Sequence, residues 1–160
     1  EQLVREMHDN VSFPIQVVSS NEEAVRDADI VVTATSAQEP VIKRSWIAAG
    51  AHINGIGTHS PNSREIDSET MAAARVFTDR RESLLNEAGD YVLAAEEGAI
   101  TPESVVAEIG ELVIGSKQGR RSADEITLFK SLGLAIEDVV SAEYLFRKAK
   151  AENAGTWVDF

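Results

Sequence analysis

The first half of the chain alternates between short apolar runs and segments whose apolar residues have helical spacing. The apolar runs predict strands, because turn-forming residues bound them; they cover residues 15–18, 30–35, 51–56 and 75–78. Between them we predict a helix capped by Asn21, a single helical turn over residues 44–48, and a helix from Asp67 to Ala74. This alternation predicts an α/β fold with a doubly wound parallel sheet. The run over 30–35 is almost wholly apolar, so we expect it to be buried on both faces.

From residue 79 onward, longer helical patterns replace the alternation. Helices are predicted over 81–88, 91–97 and 102–114, with glycines breaking them. The polar loop 115–122 is the clearest candidate for an internal boundary. After it we predict a strand over 126–129, a long helix to about Glu152 and a final strand over 156–160. The apolar side of the long helix consists of Leu132, Ile136, Val139, Val140 and Phe146.

Composition narrows the possible functions. The 160 residues carry a net charge of −12, which argues against a surface for nucleic acid or for an anionic membrane. No apolar run approaches the roughly 18 residues that span a bilayer. Cysteine is absent, which excludes disulfides, and the three histidines lie too far apart to predict a metal site. The chain begins at Glu1, within a helix predicted over 1–8, so we expect that the amino end is missing.

The segment over 53–61 is the best candidate for a functional site. Its apolar strand ends at two glycines, Gly55 and Gly57, and then Thr58, His59 and Ser60 follow. Ligands of open α/β sheets bind beyond the carboxyl ends of the strands, and glycine lets a ligand or another backbone approach closely. The glycine-rich phosphate turn of a dinucleotide site is not present in these 160 residues. Spacing alone therefore leaves nucleotide binding plausible, and a purely structural turn is the alternative.

Several spaced motifs carry a family resemblance. They are ADIVVTAT at 28–35, EPV at 39–41, GAHINGIG at 50–57, REID at 64–67, GR at 119–120 and DEITLFKSLGLAIED at 124–138. From about residue 24 to residue 149 the chain resembles the ornithine cyclodeaminase/μ-crystallin family. Members of that family include ornithine cyclodeaminases, alanine dehydrogenases and ketimine reductases, which use NAD or NADP.

The resemblance implies the fold and the function of the intact protein. Residues 1–114 would be the later part of a Rossmann domain, and residues 115–160 a strand-helix-strand return into a substrate and dimerisation domain. We expect a cytoplasmic homodimer that exchanges a hydride between nicotinamide and a small amino acid or its imine. The family's phosphate loop lies upstream of the matched residues, so we expect this chain alone to be inactive and to bind NAD negligibly.

Four residues match family positions near the cofactor. Thr35 matches a strand-end position that contacts the dinucleotide, and Ile56 matches one whose backbone lies near the nicotinamide. Ser131 and Leu132 match positions that touch the nicotinamide end of the cofactor from the other domain. Three of them also have an ordinary structural interpretation: Thr35 could simply end a buried strand, the side chain of Ile56 could belong to the core, and Ser131 could cap the long helix.

His59 departs from the family pattern. Ornithine cyclodeaminases carry an aspartate at the matching position, where it handles protons at the amino-bearing carbon, and they carry a lysine where this chain has Ser63. An imidazole could relay protons in place of that aspartate, or His59 could be a solvated loop residue. Both changes weaken the specific prediction of ornithine cyclisation. The alternative to an enzyme is a non-catalytic protein of the μ-crystallin type that binds cofactor and small ligands.

Overall fold

The computed structural model describes residues 2–7 and 10–158. It contains one five-stranded sheet in the order β1-β2-β5-β3-β4, in which every pair of neighbouring strands is parallel. The strands are β1 (Ile30–Thr33), β2 (His52–Gly55), β3 (Arg75–Thr78), β4 (Val105–Glu108) and β5 (Thr127–Lys130). The helices are α1 (Gln2–Met7), α2 (Asn21–Val25), α3 (Ser68–Ala73), α4 (Arg81–Glu87), α5 (Gly89–Glu96), α6 (Ile109–Val113) and α7 (Ala135–Glu152). Short 3₁₀ turns cover Arg44–Trp46 and Pro102–Ser104.

The carboxyl ends of the central strands lie side by side. Thr33 of β1 is opposite Gly55 of β2, and Gly55 is opposite Lys130 of β5. Thr78 of β3 is opposite Lys130 as well. Four parallel strands therefore end at the same level of one edge, where such sheets bind ligands.

The hydrophobic core lies on one face of the sheet. The fully buried side chains Ile53, Val76 and Leu128 come from three strands, and Met71 and Leu84 from α3 and α4. The opposite face of β1 is open: Ile30 is 66% exposed and Val32 is 58% exposed. The prediction that this strand is buried on both faces was wrong, because the described helices that pack against β1 cover only the face of Val31 and Thr33.

Two of the predicted strands are not formed by the residues that the structure describes. Residues 15–18 are not in a strand, and β1, the nearest strand in sequence, lies at the edge of the sheet. Residues 156–158 are not in a strand either, and Trp157 instead packs edge-on against Phe146 of α7. The remaining residues of the second predicted strand, 159–160, lie outside the described part of the chain.

The helix predicted over 102–114 is replaced by a 3₁₀ turn, strand β4 and the short helix α6. β-Branched Val105 and Val106 favour a strand, and pairing with β3 provides the partner. The break that was predicted at Gly89 falls at Ala88, and Gly89 begins α5. The cap of α2 is Ser20, whose hydroxyl accepts from the Glu23 amide, and not Asn21.

Strand β5 lies at the centre of the sheet, between β2 and β3. The loop over 115–122 therefore does not mark the point at which the chain leaves the sheet, as the predicted boundary implied. Arg75 of β3 donates hydrogen bonds to the carbonyls of Gln118 and Gly119, which fastens this loop to the sheet. The chain leaves the sheet after Lys130 and continues into α7. Among the described helices, none is long and apolar enough to cross a membrane.

Candidate active site at the carboxyl edge of the sheet

The sheet ladder continues beyond the strand ends and aligns three of the predicted site residues. The amide of Ile56 donates to the Thr33 carbonyl at 2.8 Å, and the amide of Ser131 donates to the Gly55 carbonyl at 3.0 Å. Thr35 lies two residues beyond the end of β1. The backbones at Thr35, Ile56 and Ser131 are thus brought to one edge, as the sequence predicts.

A buried carboxylate joins the ends of β1 and β2. Glu65 is 0% exposed, and its oxygens accept from the Thr35 amide at 2.6 Å, the Gly57 amide at 2.8 Å and the Thr33 hydroxyl at 3.0 Å. Burial by itself would raise the pKa of Glu65, but these hydrogen bonds outweigh burial and hold the pKa below its ordinary value. Glu65 therefore stays ionised without a cation beside it among the described side chains.

A buried ion pair lies beneath the same loop. Lys130 Nζ is 3.2 Å from Asp90 Oδ2, and both side chains are fully buried. Lys130 also donates to the Thr58 carbonyl at 2.8 Å, while the Thr58 hydroxyl donates to Asp90 at 3.0 Å. The second oxygen of Asp90 accepts from the amides of Glu65 and Ile66. The pair thus holds both ends of the segment that carries His59.

Two glycines leave room for the side chains and backbone of this network. A Cβ at Gly55 would lie 2.9 Å from Ile66 Cδ1 and 3.4 Å from Lys130 Cδ, so the glycine makes room for the lysine stem. A Cβ at Gly57 would overlap the backbone of Thr35 and the carboxylate of Glu65. The close approach expected at Gly57 is therefore made by a backbone segment of the chain itself.

Asp79, directly after β3, organises the turn after β5. One of its oxygens accepts from the Ser131 hydroxyl at 3.2 Å and from the amides of Leu132 and Gly133 at 2.7 Å each. Burial would raise the pKa of Asp79, but the amides of Leu132, Gly133 and Arg80 lower it overall. Gly133 has a φ of +80°, which glycine adopts without strain. The position of Ser131 is thereby fixed by the neighbouring strand.

His59 is exposed and lines a hollow of about 370 Å³ at this edge. The hollow is lined by Ser36, Ala37, Gln38, Gly57, Thr58, His59, Ser60, Asn62 and Ser63. Thr35 instead lines a separate hollow of about 210 Å³ beside α2. The side chain of Ile56 is partly exposed, and Leu132 is half-buried against the core. The predicted residues therefore share an edge, while their side chains face different surroundings.

Sequence reasoning missed the buried groups that hold this edge together. Glu65 and Lys130 lie inside quoted motifs but were not singled out, and Asp79 directly follows a correctly predicted strand. No local sequence pattern singles out Asp90, because its hydrogen-bond partners lie at least 24 residues away along the chain. Among the described residues, no group of three or more His, Cys, Asp or Glu side chains could hold a metal ion.

Comparison with known proteins finds relatives that match most of the chain. The ornithine cyclodeaminase/mu-crystallin family profile matches residues 1–153. A Delta(1)-pyrroline-2-carboxylate reductase of Bacillus cereus is 38% identical over 148 residues, which is 92% of this chain and 45% of that protein. The structure of the Thermococcus litoralis Delta(1)-pyrroline-2-carboxylate reductase in complex with NADH and L-proline matches with a TM-score of 0.92 at 42% identity, covering 98% of this chain and 49% of that one. An archaeal alanine dehydrogenase dimer with bound NAD matches with a TM-score of 0.86 at 37% identity. The match covers 99% of this chain and 48% of the dehydrogenase chain.

The parallel sheet and the helices packed on it define an α/β protein of the Rossmann-like class. The chain belongs to the ornithine cyclodeaminase/mu-crystallin family. Both the predicted fold class and the predicted family are thereby confirmed. The chain spans about half the length of the relatives that it matches.

Proposed function

We propose that the full-length protein containing this chain transfers a hydride between NAD(H) or NADP(H) and the amino-bearing carbon of a small amino acid or its imine. The main support is the alignment of the carboxyl ends of β1, β2 and β5, which brings the backbones at Thr35, Ile56 and Ser131 to one edge. Relatives of known structure, a reductase with NADH and L-proline and a dehydrogenase with NAD, support the same chemistry.

The residues at this edge fit the nicotinamide end of a dinucleotide. Gly57 keeps the loop close to Thr35, and the exposed side of Ile56 leaves a small apolar surface beside it. Ser131 and Leu132, fixed by Asp79, would limit the site from the β5 side. When bound, the nicotinamide supplies the hydride acceptor or donor, and the chain's part is to orient the ring and the substrate.

We assign His59 the handling of the proton that accompanies the hydride. Its imidazole lies in an open hollow at the edge, beside Ser60 and Ser63, where a small polar substrate has access. An imidazole gives or takes a proton near neutral pH, which suits the interconversion of an amine and an imine.

The test uses the full-length protein with three substrates: Δ1-pyrroline-2-carboxylate and pyruvate with ammonium, each supplied with NADH or NADPH as hydride donor, and ornithine, supplied with NAD or NADP as hydride acceptor. We expect turnover with at least one of them. His59→Ala should lower kcat by about 100-fold or more, the usual contribution of a general acid or base, and leave cofactor affinity unchanged. His59→Asp, which installs the carboxylate of the ornithine cyclodeaminases, is the matched variant and should retain part of the activity.

One outcome would contradict the proposed hydride transfer, and another would contradict only the role of His59. Absence of turnover with any amino or imino acid, while the cofactor still binds, would favour a non-catalytic binding protein of the μ-crystallin type. Full activity of His59→Ala would remove His59 from the mechanism and leave the hydride transfer standing.

The proposal extends to assembly, location and domain organisation. We propose that the full-length protein is a cytoplasmic homodimer. The dimer of the archaeal alanine dehydrogenase supports the assembly, and light scattering of the full-length protein tests it.

We also keep the division into a cofactor domain and a return segment. Because β5 belongs to the sheet, the return segment would begin after Lys130, with α7 and its exposed apolar residues. Ammonia release from ornithine would add a lyase activity.

A further inference from the structure

We infer that the buried groups Glu65, Asp90 and Lys130 are positioning residues for the loop of residues 57–64, which carries His59. This inference rests on the proposed function, because it assigns the loop a role at the reacting edge. None of the three touches the hollow itself, since all are 0% exposed. Their hydrogen bonds reach Thr35, Gly57 and Thr58, which surround the edge.

Glu65 sets the spacing between two strand ends. Its two oxygens bind amides from different segments, Thr35 after β1 and Gly57 after β2. A carboxylate accepts at both oxygens, whereas a glutamine of the same shape offers an acceptor at only one of them. Neutralising Glu65 therefore releases one of the two segments.

Lys130 and Asp90 fix the peptide group that joins Thr58 to His59. The Thr58 carbonyl, which belongs to that peptide group, accepts from Lys130, and the Thr58 hydroxyl donates to Asp90. Rotation of this peptide plane would break the bond to Lys130 and displace the Cα of His59. The imidazole is thus positioned by a cation that lies beneath the loop.

Stability alone does not account for three buried charges. A buried ion pair is often no more stabilising than apolar side chains of similar volume, because both charges lose their hydration. All of the side-chain hydrogen bonds of Lys130 and Asp90 given by the structure go to residues 58, 65 and 66, or to each other. The hydrogen bonds of Lys130 and Asp90 are therefore concentrated at the two ends of the segment that carries His59, rather than distributed through the core.

The experiment compares variants of the full-length protein at a temperature at which all of them are folded. Lys130→Met should lower kcat by about tenfold to 100-fold, the effect expected of a displaced reacting group, without a matching rise in the KM for NADH. Leu84→Ala is the control, because Leu84 is fully buried in α4 and lies outside this network. It should lower the melting temperature and leave kcat unchanged.

A charge-balanced double variant, Asp90→Asn with Lys130→Met, guards against misfolding of the single variant. Asparagine still accepts from the Glu65 and Ile66 amides and can donate to Thr58, so the double variant chiefly removes the hydrogen bond to the Thr58 carbonyl. We expect a recovered melting temperature and a kcat that stays about tenfold or more below wild type. A kcat that returns to wild type together with the melting temperature would overturn the inference.

Amide hydrogen exchange separates this inference from the proposed function. If the wild-type protein shows no turnover, the proposed function fails, and exchange alone then decides the role of the network. Lys130→Met should accelerate exchange about tenfold or more at residues 57–60 and leave α4 unchanged, as local opening predicts. Equal acceleration throughout the protein, or none at residues 57–60, would overturn the inference.

Discussion

Gly57 is a residue at which two chain segments of the candidate site pack closely together. Replacement by alanine would place a methyl group against the Thr35 backbone and the Glu65 carboxylate. We expect Gly57→Ala to lower the free energy of unfolding by about 1 to 3 kcal/mol, since overpacking forces the backbone to shift. Urea denaturation measures this change.

Gly110→Ala is the matched control for that substitution. A Cβ at Gly110 meets nothing within 4 Å among the described atoms, and alanine favours the helix α6 in which it lies. The control should leave stability unchanged or raise it slightly. Equal effects of the two substitutions would contradict the close approach at Gly57.

The lowered pKa values of Glu65 and Asp79 predict acid sensitivity. Both carboxyls bind protons less readily in the folded chain than in the unfolded chain. Their contribution to stability is therefore complete above the ordinary carboxyl pKa of about 4 and is lost as the pH falls through the lowered folded values. Urea denaturation between about pH 5 and pH 3 should show a falling free energy of unfolding.

Asp79→Asn isolates the contribution of Asp79 to the pH dependence of the free energy of unfolding. The amide cannot ionise, so the variant should be less stable near neutral pH and should lose less stability on acidification than the wild-type protein. Parallel pH profiles of the two proteins would contradict a role for the ionised Asp79.

At the residue scale, the sequence predicts which residues lie at the sheet edge better than it predicts which residues form hydrogen bonds with one another. Thr35 and Ile56 follow apolar runs, and parallel strands end together, so their shared edge is predictable, whereas Ser131 was expected to face them from the other domain. The contacts of Asp90 depend on how α5 packs under the loop, and no local spacing encodes that packing.

At the scale of elements, the start of α2 gives a direct comparison of two adjacent residues. The Ser20 hydroxyl accepts from the Glu23 amide, and the helix begins at Asn21. Ser20→Ala should lower the free energy of unfolding by about 1 kcal/mol, the usual effect of removing a cap. Asn21→Ala should have little effect, and the reverse order in urea denaturation would restore Asn21 as the cap.

Helices and strands whose ends are marked by capping or turn residues nearby in the sequence were predicted well. The helix α3 begins where Asp67 accepts from the Thr70 amide at 3.0 Å, and β3 has its predicted bounds. Strand β4 was missed, because its apolar residues also fit helical spacing and only pairing with β3 selects the strand. The burial of β1 was overestimated, because an apolar run does not reveal which faces are covered.

At the scale of the whole molecule, the sheet brings distant parts of the sequence to one edge. Strand β5 crosses back between β2 and β3, so the turn at Ser131 lies beside residues that are more than 70 positions earlier. The family resemblance assigned residues 115–160 to the other domain, so the position of β5 within this sheet was not predicted. The loop over 115–122 lies between β4 and β5, two strands of the same sheet.

The most direct test of the account is a crystal structure of the full-length protein with NADH bound. We predict that the nicotinamide ring lies at the ends of β1, β2 and β5, in contact with Thr35, Ile56 and Ser131, with His59 facing the substrate side. A ring bound elsewhere, with those three residues free of the cofactor, would contradict the account.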